Sequence, residues 1–154
     1  MGTEIEHKFL VRDASWKAGA RGTRLIQAYL STDPDRTVRV RVAGDEAWLT
    51  IKGRADGPAR SEFEYPIPLA DAQGLLALCH HPWIDKTRYL VPFGDHVWEV
   101  DEFHGENEGL IVAEVELSEL GESFERPPWL GADVTDDPRY SNSGLVRKPF
   151  SRWA

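Results

Sequence analysis

Glu4, Glu6 and Lys8 stand at alternate positions of the stretch TEIEHKFL, with Ile5, His7 and Phe9 between them. The arrangement recurs down the chain, in Arg39 and Arg41, in Trp48, Thr50 and Lys52, and in Glu62 and Glu64. It continues with Lys86 and Arg88, Glu99 and Asp101, and Glu114 and Glu116. These positions hold six basic residues and eight acids, sorted by sign along the chain. Arginine suits phosphate because its fork of donors meets two oxygens at once, and lysine adds a point charge. Carboxylates with no histidine or cysteine cluster beside them suit hard cations such as Mg2+ or Mn2+. A cavity walled by both sets would take a phosphate chain on its basic runs and divalent cations on its acidic ones.

Period-two alternation is the mark of strands with one apolar and one polar face, and it defines the elements that must carry these residues. Eight strands are predicted, over EIEHKFL, TRLIQAYLS, TVRVRV, AWLTIK, SEFEYPI, DKTRYLV, HVWEVDEF and LIVAEVEL. Turn-forming residues separate several of them, in AGDEA, GRADGPAR and PFGD. Their opposite faces carry Ile5, Phe9, Val38, Val40, Val42, Leu49, Ile51, Phe63, Tyr65, Val100, Ala113, Val115 and Leu117, which should pack against helices or neighbouring layers. Helical spacing predicts helices in LADAQGLLALC, ending before HHP, and in LSELGESFE, stopping at Pro127 and Pro128. A short helix is expected after Tyr140 in RYSNSGLVRKP, and FSRWA reads as a loose tail.

Any one such strand would serve in a sheet that turns its charged face to water. The distribution of signs argues otherwise. Like charges two residues apart lie roughly 6.8 Å from each other along a strand, where a solvated face would tend to mix signs. At about 7 Å they repel by roughly 0.6 kcal/mol in water and about 2.4 kcal/mol at an effective dielectric of 20. Outside, the pattern is tolerable; inside, it needs counter-charges. Eight antiparallel strands can close into a barrel, and there the side facing inward could be the charged one if helices cover the outside.

Other features bound the function. A chain of 154 residues, 41 % hydrophobic and 29 % charged, reads as one soluble globular domain spanning 1–154. No apolar run approaches the ~18 residues of a membrane span. No secretory signal precedes the first strand, so the cytoplasm is expected. Cys79 is the only cysteine and reads as a buried, inert thiol in LLALC. A net charge of -8 argues against a nucleic-acid binder, while local charge still permits a small anionic ligand.

The ordered set EIEHK, RVR at 39 to 41, TIK at 50 to 52, EFE at 62 to 64, KTRY at 86 to 89, EVD at 99 to 101 and EVE at 114 to 116 resembles the signature of the CYTH superfamily, the triphosphate tunnel metalloenzymes. The closing segment PPWLGADVTDDPRYSNSGL is similar to the end of the short bacterial members. The resemblance implies a β-rich α+β fold, a closed eight-stranded antiparallel β-barrel (the triphosphate tunnel) with a charged lumen and a few helices packed outside. It implies metal binding by Glu4, Glu6, Glu114 and Glu116, with Glu64 and Asp101 lining the same cavity, and a triphosphate grip by Lys8, Arg39, Arg41, Lys52, Lys86 and Arg88. It further implies hydrolysis of inorganic triphosphate to pyrophosphate and phosphate with two Mg2+ or Mn2+ ions.

Lys86 and Tyr29 should both point inward, where arginines would lower the lysine's pKa and let it take a proton from water, with Tyr29 as hydrogen-bond partner. Tyr140 and Asn142, on the short C-terminal helix, would close one end and add substrate contacts. His80 and His81 read as a helix-end or surface feature before Pro82. Competing readings are an adenylate cyclase, a thiamine or nucleoside triphosphatase, a polyphosphate-binding module, and a lipocalin-like carrier with Ile5, Val38, Val40 and Val115 in the lumen. Whether the chain forms a homodimer stays open.

Overall fold

Alternation of β-branched and charged residues produces each of the eight expected strands. The computed structural model describes residues 2–153. The strands are β1 (Thr3–Val11), β2 (Gly22–Ser31), β3 (Arg36–Ala43), β4 (Glu46–Gly53), β5 (Ala59–Ile67), β6 (Ile84–Phe93), β7 (His96–Phe103) and β8 (Ile111–Glu116). All pair antiparallel in the ring β1-β5-β4-β3-β2-β6-β7-β8 and back to β1. The closing seam is short, with Thr3, Glu4 and Ile5 facing Ser61, Arg60 and Ala59. A ninth strand, β9 (Leu130–Asp133), was not predicted; it pairs with Phe9 and Val11 on the edge of β1 that β8 leaves free. Four residues long, it shows too little alternation to be read from sequence.

The apolar faces meet three partners. Phe9, Trp98, Val100, Ala113 and Val115 form one core with Trp16, Leu117, Trp129 and Leu130. Ala28, Val40 and Ala47 pack under helix α1 (Leu69–Leu76) with Ala72, Leu76 and the buried Cys79. The third core plugs the barrel. Ile84, Phe103 and Val112 follow Lys86, Asp101 and Glu114 at two-residue steps, so the charged interior gives way to an apolar floor against Leu145 and Val146 of helix α2 (Asn142–Arg147).

Two expectations fail, each for a local reason. LSELGESFE forms no helix: Leu117 N–H donates to the Ile5 carbonyl at 2.8 Å, continuing the β8 pairing. Glu122 accepts from the N–H and Oγ of Ser118 at 2.7 and 2.6 Å, and Gly121 takes a φ of 81°. Such side-chain to backbone bonds compete with helix, and the positive φ suits glycine. The segment is a strap that lays Phe124 against Phe9 and Trp98. FSRWA is not loose either, up to Trp153. Phe150 N–H donates to Asn107 Oδ1 at 2.8 Å, and the Trp153 ring meets Tyr140 and Phe150 edge-on. Ala154 lies outside the described residues. Among the described residues no helix is long and apolar enough to cross a membrane.

Candidate active site

The inward face of the ring encloses a cavity of about 190 Å3. It is lined by Glu4, Glu6 and Lys8 of β1, Tyr29 of β2, Arg39 and Arg41 of β3, Lys52 of β4, Arg60, Glu62 and Glu64 of β5, Lys86 and Arg88 of β6, Glu99 of β7, Glu114 and Glu116 of β8, and Asn142 of α2. The mouth, about 330 Å3, shares Glu4, Glu6, Lys8 and Arg60 and extends to Arg54, Asp136 and Arg147. The inner cavity is below the ~300–1,000 Å3 usual for drug-sized ligands, so it fits a compact one.

Register resolves much of the charge that alternation segregates. Lys52 faces Glu62, Arg88 faces Asp101, Lys8 faces Glu114 and Glu4 faces Arg60, so opposite signs meet across strands. Lys52 Nζ lies 3.0 Å from both carboxylate oxygens of Glu4 and 3.5 Å from Glu62, and Arg60 Nε is 3.3 Å from Glu4. Arg39 reaches Glu64 at 3.2 Å and Thr50 at 3.1 Å, while Thr50 Oγ1 donates to Glu64 at 2.8 Å. Two pairs break the rule: Glu6 faces Glu116, and Glu99 faces Glu114. Like charges directly opposite destabilise a sheet. The wall therefore has an acidic sector on β1, β8 and β7, and a cationic one where Arg39, Arg41, Lys86 and Arg88 gather on β3 and β6.

Protonation follows these sectors. Burial, reinforced by Glu114 and Glu4, pushes the Glu6 carboxyl well above its ordinary range. Burial also acts on Glu114, but Lys8 and Arg88 overcome it and hold that carboxyl well below the usual range. Burial similarly raises Glu99 and Glu116, with Glu114 adding to both. On the cationic side, burial lowers Arg41 to about 10, assisted by Arg39 and Arg88. Lys86 falls to about 7, chiefly through burial; Arg88 and Arg41 push the same way, while Asp101 and Glu114 oppose them. Desolvation thus does more than the arginines named from the sequence, and Arg39 is not among the main influences. The Nε–H of Arg39 has no acceptor among the described residues, and a buried donor left so costs about 1–3 kcal/mol.

Most sequence-predicted site residues converge on this cavity; Asp101 and Tyr140 do not line it. Asp101 is fully buried behind the wall, with Oδ2 2.7 Å from Lys86 Nζ and both oxygens bonded by Arg88 at 2.8 and 3.0 Å. A carboxylate so occupied, with about three of its four acceptor positions taken, anchors two cations and does not face the cavity. Tyr140 packs on Trp153 and beneath Arg139. Lys86 and Tyr29 share the cavity, but Lys86 pairs with the Asp101 carboxylate at 2.7 Å and donates to Asn142 Oδ1 at 3.1 Å. Sequence reasoning missed Arg60, which shares the face of Glu62 and Glu64 but lies one residue before the expected start of that strand, and gave no role to Glu99, whose partner Glu114 is set by register. Val40 and Val115 lie in the outer cores, which rules out an apolar lumen and with it the lipocalin-like reading. His80 and His81 are both exposed at the surface, His81 stacked on Trp83.

The acidic sector suits a hard cation on its donor chemistry: oxygen donors only, and two like-charged cross-strand pairs, although Arg88 already approaches Glu99 at 3.4 Å and Glu114 at 3.9 Å. Among the described residues no three acidic, imidazole or thiol side chains already surround one point, since Glu4 is engaged by Lys52 and Arg60.

A closed β-tunnel with one cationic and one acidic sector is a receptor for a compact polyanion together with divalent cations. The chain belongs to the CYTH domain family, which it matches over residues 2–146. It is 47 % identical over 154 residues to an inorganic triphosphatase of Acetivibrio thermocellus, covering 99 % of each chain. It is 38 % identical over 149 residues to an inorganic triphosphatase of Nitrosomonas europaea, covering 94 % of this chain and 97 % of the relative. The crystal structure of the inorganic triphosphatase NE1496 matches with a TM-score of 0.67 at 32 % identity, covering 92 % of this chain and 96 % of that one.

Proposed function

We propose that this chain hydrolyses inorganic triphosphate to pyrophosphate and phosphate inside the tunnel, with Mg2+ or Mn2+. The observation that carries this reading is the split wall, cationic on β3 and β6 and acidic on β1, β7 and β8. The names of two relatives matched over nearly their whole length support it. Phosphoryl transfer asks mainly for positioning and electrostatic stabilisation, which a rigid ring of donors supplies without reorganising.

Arg39, Arg41 and Arg88, with Lys8, Lys52 and Asn142, hold the phosphate oxygens. Glu4, Glu6, Glu114 and Glu116 would hold the cations, with Glu64 and Glu99 beside them. Mg2+ or Mn2+, as one ion or two, neutralises phosphate oxygens and acidifies an attacking water when bound. Holding a cation would require Glu4 to exchange its pairing with Lys52 and Arg60, and Glu6 to be ionised. Lys52 and Arg60 are thereby freed for phosphate. Lys86, neutral in half the molecules near pH 7, accepts the proton of the attacking water through Nζ, with Tyr29 as a hydrogen-bond partner. The water oxygen bonds to the terminal phosphorus, the bridging P–O bond breaks, and pyrophosphate leaves with the electron pair. Asp101 takes no part in the transfer and anchors Lys86 and Arg88.

Phosphate release from inorganic triphosphate, ATP and thiamine triphosphate, with Mg2+, Mn2+ or EDTA, tests the proposal beside a Glu4→Gln, Glu6→Gln double variant. Release from inorganic triphosphate that EDTA and the double substitution abolish is expected. A folded protein that binds triphosphate and turns over none of the three sinks the hydrolase reading. Faster release from ATP or thiamine triphosphate would reassign the substrate.

A further inference from the structure

Gln27 has no role in the mechanism above, yet it is fully buried beside three residues that do. It sits on β2, opposite Arg41 of β3 and Ile84 of β6. Its Oε1 accepts from Arg41 Nε at 2.8 Å, and its Nε2 reaches Asn142 Oδ1 at 3.5 Å. The same Asn142 oxygen accepts from Lys86 Nζ at 3.1 Å. The directions are dictated by the donors. Arg41 Nε only donates, so the oxygen of Gln27 must face it and the amide nitrogen is left for Asn142. Asn142 must then turn its own oxygen toward both Gln27 and Lys86.

We infer that Gln27 is a positioning residue of this site, one amide that orients the Arg41 guanidinium at one end and the Asn142 to Lys86 contact at the other. The inference rests on the proposed triphosphatase reading for what Arg41 and Lys86 do, and on hydrogen-bond geometry for the coupling itself. A buried amide is costly unless both of its ends are bonded, and an apolar side chain would fill the same space more cheaply. Both ends here meet functional groups on different elements. Asn142 opens α2, where the Ser141 hydroxyl caps the helix by accepting from Gly144 N–H at 3.0 Å. Gly144 packs so closely that a Cβ there would stand 2.2 Å from the Pro138 carbonyl oxygen, so α2 is seated tightly and Asn142 has little freedom to drift. Lys86 donates to Asn142 Oδ1 at 3.1 Å and pairs with the Asp101 carboxylate at 2.7 Å, so a shift of Asn142 moves one of the two contacts that hold its amine in place.

The two ends can be cut separately. Gln27→Glu keeps an acceptor for Arg41 and removes the donor to Asn142; Gln27→Met keeps the shape and removes both. With inorganic triphosphate and Mn2+, Gln27→Glu should lower kcat about tenfold with KM near wild type, and Gln27→Met should lower kcat and raise KM, each by about tenfold or more. In a cycle with Asn142→Ala, the Gln27→Glu effect on kcat should be less than multiplicative, because both act through one contact. Circular dichroism establishes that the variants are folded. Both variants within twofold of wild type in kcat and KM would overturn the inference and leave Gln27 a packing residue, as would full multiplicativity with Asn142→Ala. Should the wild-type protein bind triphosphate without turnover, the proposed reaction is wrong while the coupling remains readable. Calorimetric affinity for triphosphate should then fall about tenfold in Gln27→Met and stay unchanged in Gln27→Glu, and equal affinities would overturn it.

Discussion

Activity on inorganic triphosphate should rise about tenfold between pH 6 and pH 8, because the neutral fraction of an amine of pKa about 7 climbs from roughly 0.09 to 0.91 over that interval. The cause is structural. Lys86 is fully buried, so its charged form is desolvated, and Arg88 and Arg41 repel it further while Asp101 only partly compensates. As pH falls below 7 a growing share of the amine holds its proton and cannot accept one from water, so kcat/KM falls about fivefold from pH 7 to 6 and approaches tenfold per unit below that. Lys86→Arg, permanently charged, should lose both the activity and the acidic limb. The same shift enters stability. An unfolded lysine titrates near 10.5 and the folded one near 7, so between those values the unfolded chain binds more protons and stability rises with pH. Over about 3.5 pH units that amounts to at most ~5 kcal/mol. The assay is steady-state phosphate release against pH, paired with urea unfolding of wild type and Lys86→Met at pH 7 and 9. A wild-type profile flat through pH 7, or an acidic limb that survives in a still active Lys86→Arg, would refute the reasoning. Equal gains in stability for wild type and Lys86→Met between pH 7 and 9 would refute its electrostatic half.

Inorganic triphosphate at 100 times its Kd should stabilise the protein by about 2.7 kcal/mol, which for a chain of this size raises Tm by roughly 5–10 °C; no shift in a thermal melt would speak against binding in the tunnel. Mn2+ alone should raise Tm in wild type and leave the Glu4→Gln, Glu6→Gln variant unmoved, and an equal shift in both would locate the cation elsewhere. Trp98 is fully buried against Phe9, Phe124 and Trp129, so Trp98→Ala should cost about 3–5 kcal/mol by urea unfolding, whereas Leu90→Ala on the outer surface should stay within about 0.5 kcal/mol.

How much of the site was legible in the sequence depended on whether strand alternation alone could reveal it. Glu4, Glu6 and Lys8 were readable as one face, as were Arg39 with Arg41, Lys86 with Arg88, and Glu114 with Glu116, because a strand turns successive side chains to opposite sides. The strap over residues 117–126 was misread because helical spacing says nothing of the Ser118 to Glu122 bonds or of the turn at Gly121 that competed with it.

By itself, then, the sequence determined that this is a closed antiparallel barrel of eight strands with a charged interior. Like charges two residues apart are tolerable in such numbers only where counter-charges can meet them. The tertiary structure decided which charges meet. Register set Lys8 against Glu114 but left Glu6 against Glu116 and Glu99 against Glu114, which singles out the acidic sector. Ring closure brought Arg60 to Glu4, and burial, more than neighbouring arginines, brought Lys86 to about 7. Pairing across strands and depth below the surface are relations between distant parts of the chain. Local periodicity records which way a side chain points and carries no information on what stands opposite it.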